Sequence, residues 1–335
     1  MIPERKAAAL FFLLLFQSAL GATPTSYSVC LWNVENFGPA DRFIDNKAVA
    51  GTMKPDAEIK SFTAILKQLH PDILGLCEII QDPGDRYLKL AQSTLRSAGL
   101  DYPYTTTCRG EDSRIQNLLL SKYPIVRNDH RTSESFEAKT RDPLSGESSL
   151  QPLHLQRGII NSEIAITPDL HLRVLLVHLK SHRPMPGVSG EEKGESGEAY
   201  IRRQEALILH DTMTRLQQEN PDGRLLAMGD FNDSPRSRSV TSIIGTKNAQ
   251  PRFFDLWLKD WLGDWWTHFY RAEKAYERID YMVVNEKLFH EWDGEHSFIY
   301  RQKPEDPAEL NIYQPSDHRP LLATFRISSA ASEKR

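Results

Sequence analysis

The stretch RLLAMGDFN, residues 224–232, decides how the chain is read. Leu225, Leu226, Ala227 and Met228 form a short unbroken apolar run, as a strand buried on both faces requires. The run passes through Gly229 into Asp230, and Asn232 follows two residues on. A single Asp at the end of a strand is usually a turn or cap residue. Here the pattern recurs along the chain. Asn33 follows Val29-Cys30-Leu31-Trp32, Glu78 follows Ile73-Leu74-Gly75-Leu76-Cys77, and His178 follows Val174-Leu175-Leu176-Val177. Asp280 sits inside Arg278-Ile279-Asp280-Tyr281-Met282-Val283, and Asp317 and His318 precede Pro320-Leu321-Leu322. Carboxylates, amides and imidazoles gathered at strand ends are what an active site at the edge of a sheet needs.

Outward from these runs, strands are expected over 27–34, 72–77, 115–120, 158–166, 172–179, 224–228, 278–284 and 321–325. Helical spacing of apolar residues marks 57–69, which Pro71 stops, 87–98 with Gly99 as a cap, and 199–218, which Asn220-Pro221 ends. Some strands follow one another directly and others flank helices. That order predicts two packed mixed sheets with helices outside rather than one doubly wound parallel sheet. Residues 133–149 and 184–197 are polar and read as loops beside candidate catalytic strands.

The 335 residues carry 41 Lys+Arg against 45 Asp+Glu, a formal charge of −4, with 40% hydrophobic and 26% charged residues. This excludes a disordered or collagen-like chain and a uniformly basic nucleic-acid coat, while leaving a locally basic cleft open. Three cysteines are too few for a disulfide framework. Cys30 and Cys77 lie in core-strand runs and read as buried thiols rather than a bridge, and Cys108 as a cysteine without a partner. Residues 1–22, MIPERKAAALFFLLLFQSALGA, have the basic start, apolar run and small residues of a secretory leader. The other readings of this segment are an uncleaved anchor or a buried helix. No other run approaches the ~18 apolar residues of a membrane span, so no stable insertion is expected. The expected layout is a leader over 1–22, one domain over 23–327 and a frayed tail over 328–335, exported to the periplasm or the medium and acting as a monomer.

Asn33 and Glu78 offer oxygen donors and no thiolate cluster accompanies them, which favours Mg²⁺ or Mn²⁺ over structural Zn²⁺. A phosphodiester repels an anionic nucleophile. A site that cleaves one must offset charge on the phosphate oxygens, deprotonate water and stabilise the leaving oxygen. Asp230 is the candidate general base, with Asn232 pointing the same way if strand geometry continues. Asp280 could hold His318 in one tautomer or as an imidazolium.

Seven segments in order resemble the endonuclease/exonuclease/phosphatase superfamily: Leu31-Trp32-Asn33-Val34-Glu35-Asn36, Leu76-Cys77-Glu78-Ile79, Leu119-Leu120-Ser121-Lys122-Tyr123-Pro124-Ile125, Val177-His178-Leu179-Lys180-Ser181, Gly229-Asp230-Phe231-Asn232, Arg278-Ile279-Asp280-Tyr281 and Ser316-Asp317-His318-Arg319-Pro320. The resemblance, to a secreted bacterial-type member, covers nearly all of 27–327. It implies a DNase-I-like α/β fold, a four-layered sandwich of two face-to-face mixed sheets flanked by helices, and Mg²⁺-dependent phosphoester hydrolysis at one edge. It further implies that Asn33 and Glu78 belong to the metal site, with Asp317 near the metal or the leaving group. His178 would contact the phosphate, Asp230 would activate water with Asn232 beside it, and Asp280 and His318 would face the scissile phosphate as a pair. Arg157 matches a less constant position. Apurinic-site endonucleases usually carry Tyr where this chain has His178; the histidine is similar to the secreted deoxyribonuclease and sphingomyelinase branches. The longer tryptophan- and cysteine-bearing signature of inositol polyphosphate 5-phosphatases is missing.

Lys180, Arg236 and Arg238 stand beside the motifs and are candidate substrate contacts, whereas Arg202 and Arg203 on the long helix read as structural. Residues 253–270 hold Trp257, Trp261, Trp265 and Trp266, expected as a core cluster under an irregular loop, with one of Trp265 and Trp266 exposed. His268 reads as structural or as support for the site. The functional expectation is an exported nuclease acting on DNA or RNA. The alternatives are a phosphodiesterase or phosphatase on a lipid headgroup or small phosphate ester, and a catalytically inactive binding module.

Overall fold

A computed structural model of the protein describes residues 25–44, 47–142, 144–191, 194–313 and 315–327. The leader expected over 1–22 and the tail over 328–335 lie outside the described residues. Two six-stranded sheets face each other. From edge to edge, the first runs Trp292–Ile299, Leu321–Arg326, Ser26–Phe37, Ile73–Ile80, Ile115–Ser121 and Tyr104–Cys108. The second runs Phe253–Asp255, Asp280–Asn285, Arg224–Asp230, Leu170–His178, Ile160–Thr167 and Ile125–Asn128. Each sheet has one parallel pair at its centre, Ser26–Phe37 with Ile73–Ile80 and Leu170–His178 with Arg224–Asp230, and antiparallel neighbours outside it.

The continuous apolar runs follow from burial on both faces. Val29, Leu31, Ile73 and Leu119 of the first sheet meet Leu172, Val174, Leu176, Leu226 and Met228 of the second between the sheets. The alternate residues Cys30, Trp32, Leu74 and Leu76 turn outward onto Phe62, Ile65, Leu88 and Leu95 of helices Asp56–Leu69 and Arg86–Ser97. Leu175, Val177, Leu225 and Ala227 turn the other way onto Ala206, Leu209, Met213 and Val240 of helices Gly197–Glu219 and Arg238–Ile244. The result is the expected four layers. At Gly75 the sheets come so close that a Cβ would lie 2.6 Å from the Met228 methyl. The Cys77 thiol reaches across the interface to the Val177 carbonyl at 3.6 Å. All three cysteines are buried and unbridged.

Two expectations fail. The segment read as a polar loop over 133–149 forms the strand Ser135–Arg141, which pairs with Ser148–His154 and, on its other side, with Val188–Ser189. In the first strand the inward-facing Phe136, Ala138 and Thr140 alternate with the exposed Ser135, Glu137, Lys139 and Arg141, so the polar residues that read as a loop are the outward half of a period-two strand, and the partner strand is exposed up to Leu153. The tryptophan run is not a core cluster. Trp266 is buried, but Trp257, Trp261 and Trp265 are 45%, 48% and 45% exposed. Trp257 lies over the Arg278 guanidinium at 4.2 Å, and Arg278 makes a two-point ion pair with Asp255, so this ring shields a buried charge instead of filling the core.

Candidate active site

The two central parallel pairs end at the same edge of the sandwich, and the polar residues collect there. His178 and Asp230 are register partners, as are Asp230 and Asp280, so three neighbouring strands of the second sheet each bring one group to the edge. The first sheet supplies Asn33 and Glu78. Backbone conformation adds to the convergence: Glu35, Asn36, Glu78 and Asn232 all take left-handed φ values, 47°, 58°, 68° and 52°. Each such residue costs roughly 1 kcal/mol, and their concentration at one edge marks where the chain is bent to aim side chains. Gly229 is required here. Its φ is +156°, and a Cβ would lie 2.0 Å from the Val177 carbonyl oxygen.

Asn33 links the sheets. Its Nδ2 donates to Asp230 Oδ2 at 3.0 Å and to Glu78 Oε1 at 3.2 Å. The other Glu78 oxygen accepts the Asn36 N–H at 3.0 Å. Asp230 Oδ1 accepts the Asn232 N–H at 2.8 Å, while Asn232 Nδ2 donates to the Leu179 carbonyl at 2.9 Å. His318 Nδ1 meets Asp280 Oδ2 at 2.8 Å, and its Nε2 stands 3.8 Å from both Asp230 Oδ2 and Asp317 Oδ1. His178 Nε2 is 3.6 Å from Asp230 Oδ2. His178 Nδ1 and Asp280 Oδ1 are buried without a hydrogen-bond partner.

The electrostatics divide the groups. Burial, reinforced by the neighbouring Asp280 charge, raises Asp230 from 3.8 to about 7. Burial also raises the Glu78 carboxyl, with Asp317 adding to the effect and His318 opposing it. Burial works against the charged form of His318, but Asp280, Asp230 and Asp317 outweigh it and hold the imidazolium well above the ordinary histidine range. His178 moves the other way: burial, then Arg157 and His318, keep it neutral. Asp317 is drawn down to about 2 because the two imidazoles His268 and His318 outweigh its burial.

A divalent cation fits this donor set. Glu78, Asp230, Asp280 and Asp317 are carboxylates crowded at one edge, and Asp280 Oδ1 has no donor. Ligand atoms of Asp230, Asp280 and His318 lie within 4.8 Å of one another, as do those of His268, Asp317 and His318. No thiolate takes part, because burial holds the adjacent Cys77 thiol protonated.

The four candidate substrate contacts separate. Arg157 stays at the site's margin, donating to the Leu179 carbonyl at 3.1 Å and pairing with Asp112 at 2.9 Å. The Lys180 ammonium is buried and donates to the Ser181 and Arg183 carbonyls at 3.0 and 2.6 Å, which shapes its own loop. Arg236 and Arg238 are exposed beyond Asn232, Arg238 opening the helix Arg238–Ile244. Arg202 is structural as expected, bracing Asp233 and the Lys180 carbonyl.

Sequence reasoning undervalued a hairpin. Strands His268–Tyr270 and Ala275–Glu277 pair beside the site. His268 Nδ1 is 3.0 Å from Glu277 Oε2, its Nε2 is 3.7 Å from Asp317 Oδ2, and its ring lies 4.5 Å from that of His318. Arg271 grips Glu35 at 2.6 and 2.9 Å, and Glu35 accepts the Asp317 N–H at 3.0 Å. The Thr267 hydroxyl accepts the backbone N–H groups of Ile279 and Asp280. Only the pairing of Thr267-His268 with Asp317-His318 makes these roles visible, and neither segment predicts the other.

Residues 30–318 match the profile of the Endonuclease/Exonuclease/phosphatase family. No curated protein matches the chain. Similar folds among solved structures include truncated TDP2 from Caenorhabditis elegans, 16% identical, covering 90% of this chain and 98% of that one at a TM-score of 0.55. The human Nocturnin catalytic domain with bound sulfate anion is 15% identical over 91% of this chain and 95% of that one, at 0.59. An endonuclease/exonuclease/phosphatase from Bacteroides vulgatus is 15% identical over 91% and 100%, at 0.52.

Proposed function

The chain belongs to the endonuclease/exonuclease/phosphatase family, and from that premise we propose that it is an exported, divalent-metal-dependent nuclease that hydrolyses phosphodiester bonds of DNA or RNA. The observation that carries the reading is the buried opposition of Asp230 to the Asp280–His318 pair. A carboxyl raised to about 7 is poised to take a proton from water, and an imidazolium held by Asp280 stands 3.8 Å away to meet the phosphate's charge. Asn33 and Asn232 fix the two Asp230 oxygens. The neutral His178 presents one N–H or lone pair to the substrate without adding charge. Asn33, Glu78 and Asp317 would hold Mg²⁺ or Mn²⁺. When bound, that cation supplies charge compensation for the phosphate oxygens.

Supercoiled plasmid with Mg²⁺ or with EDTA tests this, with Asp230→Ala as the contamination control. Metal-dependent nicking lost in the variant supports the nuclease. Intact plasmid, with single-stranded DNA and RNA also left uncut, overturns it and moves the assay to sphingomyelin vesicles and phosphate monoesters. Export rests on residues 1–22. Sequencing the N-terminus of protein recovered from outside the cytoplasm tests it, and retention of 1–22 on cytoplasmic protein would overturn it.

A further inference from the structure

Seven aromatic side chains are strongly exposed among the described residues, and four of them lie on the flank of the candidate site that the hairpin forms: Tyr270 and Tyr276 belong to its strands, Tyr313 packs against its Phe269, and Trp265 lines the same slot as Tyr276 and Tyr313. Scattered exposed rings need no explanation, but a concentration beside a site does. Part of this flank is a slot of about 430 Å³. Trp266 is its floor, and the rings of Tyr276 and Tyr313 line it with centroids 4.8 and 6.2 Å from the floor ring, Tyr276 tilted by 51° and Tyr313 within 19° of parallel to it. Tyr276 and Tyr313 are 57% and 48% exposed, so both rings are reachable from solvent. Trp265, Asp264 and Arg301 complete the lining, and Arg301 Nη1 meets Asp264 Oδ2 at 2.5 Å.

The slot is tied directly to the chemistry. The Arg319 guanidinium lies 3.5 Å from the Trp266 ring centre, and Arg319 is the residue after His318. Asp260 joins Arg319 and Arg301 at 2.7 and 3.0 Å. Arg319 N–H donates to the Thr267 carbonyl at 2.7 Å, and Phe269 N–H to the Asp317 carbonyl at 2.9 Å. A single backbone pairing therefore places His318 and His268 together at the site and fixes the floor of the slot alongside.

We propose that the slot between Tyr276 and Tyr313 is a stacking subsite for one unpaired nucleobase, so that the preferred substrate is a single-stranded nucleic acid whose phosphodiester lies at His318. This rests on the nuclease reading and deepens it. Flat ring faces suit a base, because every base offers a π-face. The Arg301–Asp264 pair supplies a donor and an acceptor at the slot's end, which suits the polar edge of a base. An acyl chain in the same place would desolvate both groups without replacing their hydrogen bonds. Bases within a duplex already stack on their neighbours and cannot offer a free face.

The test is equilibrium binding in EDTA of a fluorescent thymidine dodecamer, the same strand lacking its bases, and a duplex of equal length. Vesicles of phosphatidylcholine are measured in parallel. The parent is expected to bind the dodecamer about 10-fold tighter than the base-free strand or the duplex, and Tyr276→Ala/Tyr313→Ala to lose most of that preference. Tyr276→Phe/Tyr313→Phe keeps both rings and should keep it, which separates stacking from misfolding. A parent without the preference, or an alanine variant that folds and retains it, overturns the subsite. Vesicle binding that replaces strand binding and is lost in the alanine variant makes the slot a membrane contact and also overturns it. A parent that nicks plasmid but shows no preference loses only the subsite; one that neither binds nor cuts nucleic acid loses the nuclease reading as well.

Discussion

Asp230 carries the sharpest expectations at the scale of single residues. Asp230→Asn keeps the shape and removes the base, so turnover should fall by about 10²–10⁴-fold. A variant with near-parental turnover would remove Asp230 from the chemistry. The same substitution makes a stability prediction. The carboxyl rises from 3.8 to about 7 on folding, so between those values the native state holds a proton that the unfolded chain releases. Metal-free stability must therefore decline as pH rises across that window. Asp230→Asn should flatten the decline and leave the metal-free protein more stable than the parent at pH ~8. Urea denaturation of both proteins in EDTA, repeated along a pH series, measures the difference, and parallel curves would refute the raised value. Glu78→Gln should shift the Mg²⁺ dependence of activity to higher concentration, because an amide is a poorer ligand for a hard cation. An unchanged titration would take Glu78 out of the metal site.

Paired strands and the hairpin govern the predictions that belong to elements. Gly229 lies opposite Val177 in the parallel pair that brings His178 beside Asp230. Gly229→Ala forces a Cβ to within 2.0 Å of a carbonyl oxygen unless the strands part, so it should cost about 3 kcal/mol and activity together. A stable, active alanine variant would show that the edge can relax. Arg271→Ala separates the two quantities. The Arg271 side chain is 51% exposed, so its ion pair with Glu35 contributes under ~1 kcal/mol to stability. The pair nonetheless holds Glu35 where it accepts the Asp317 N–H. Catalytic efficiency should drop several-fold at nearly unchanged melting temperature, and equal losses in both would make the clasp merely structural.

For the whole molecule, a cation held by the candidate set would link its binding to folding. Asn33 and Glu78 come from one sheet, Asp230 and Asp280 from the other, and Asp317 from the segment before the strand Leu321–Arg326. A cation that binds only this assembled set stabilises the fold by about 2.7 kcal/mol at 100 times its dissociation constant. Mg²⁺ should raise the melting temperature of the parent, and much less that of Glu78→Gln. An identical rise in both would place the cation elsewhere.

The sequence by itself determined the layers and most of the site's membership. Buried runs such as 72–77 and 224–228 could only be central strands, and helical spacing over 57–69 and 199–218 could only cover them, because burial on two faces or on one stripe leaves its period in the residues. Polar residues breaking those runs pointed to Asn33, Glu78, His178, Asp230, Asp280 and His318 before any contact was known. Less legible were the hairpin Ser135–Arg141 with Ser148–His154, where only Phe136, Ala138 and Thr140 alternate inward within a polar stretch, the irregularly buried strand Trp292–Ile299, and the exposure of Trp257, Trp261 and Trp265. Only the tertiary structure decided that Lys180 caps its own loop, that His268 joins His318, and that Asp230 sits high while Asp317 sits low. Those are properties of distance and desolvation between segments far apart in the chain, and a string of residues carries neither.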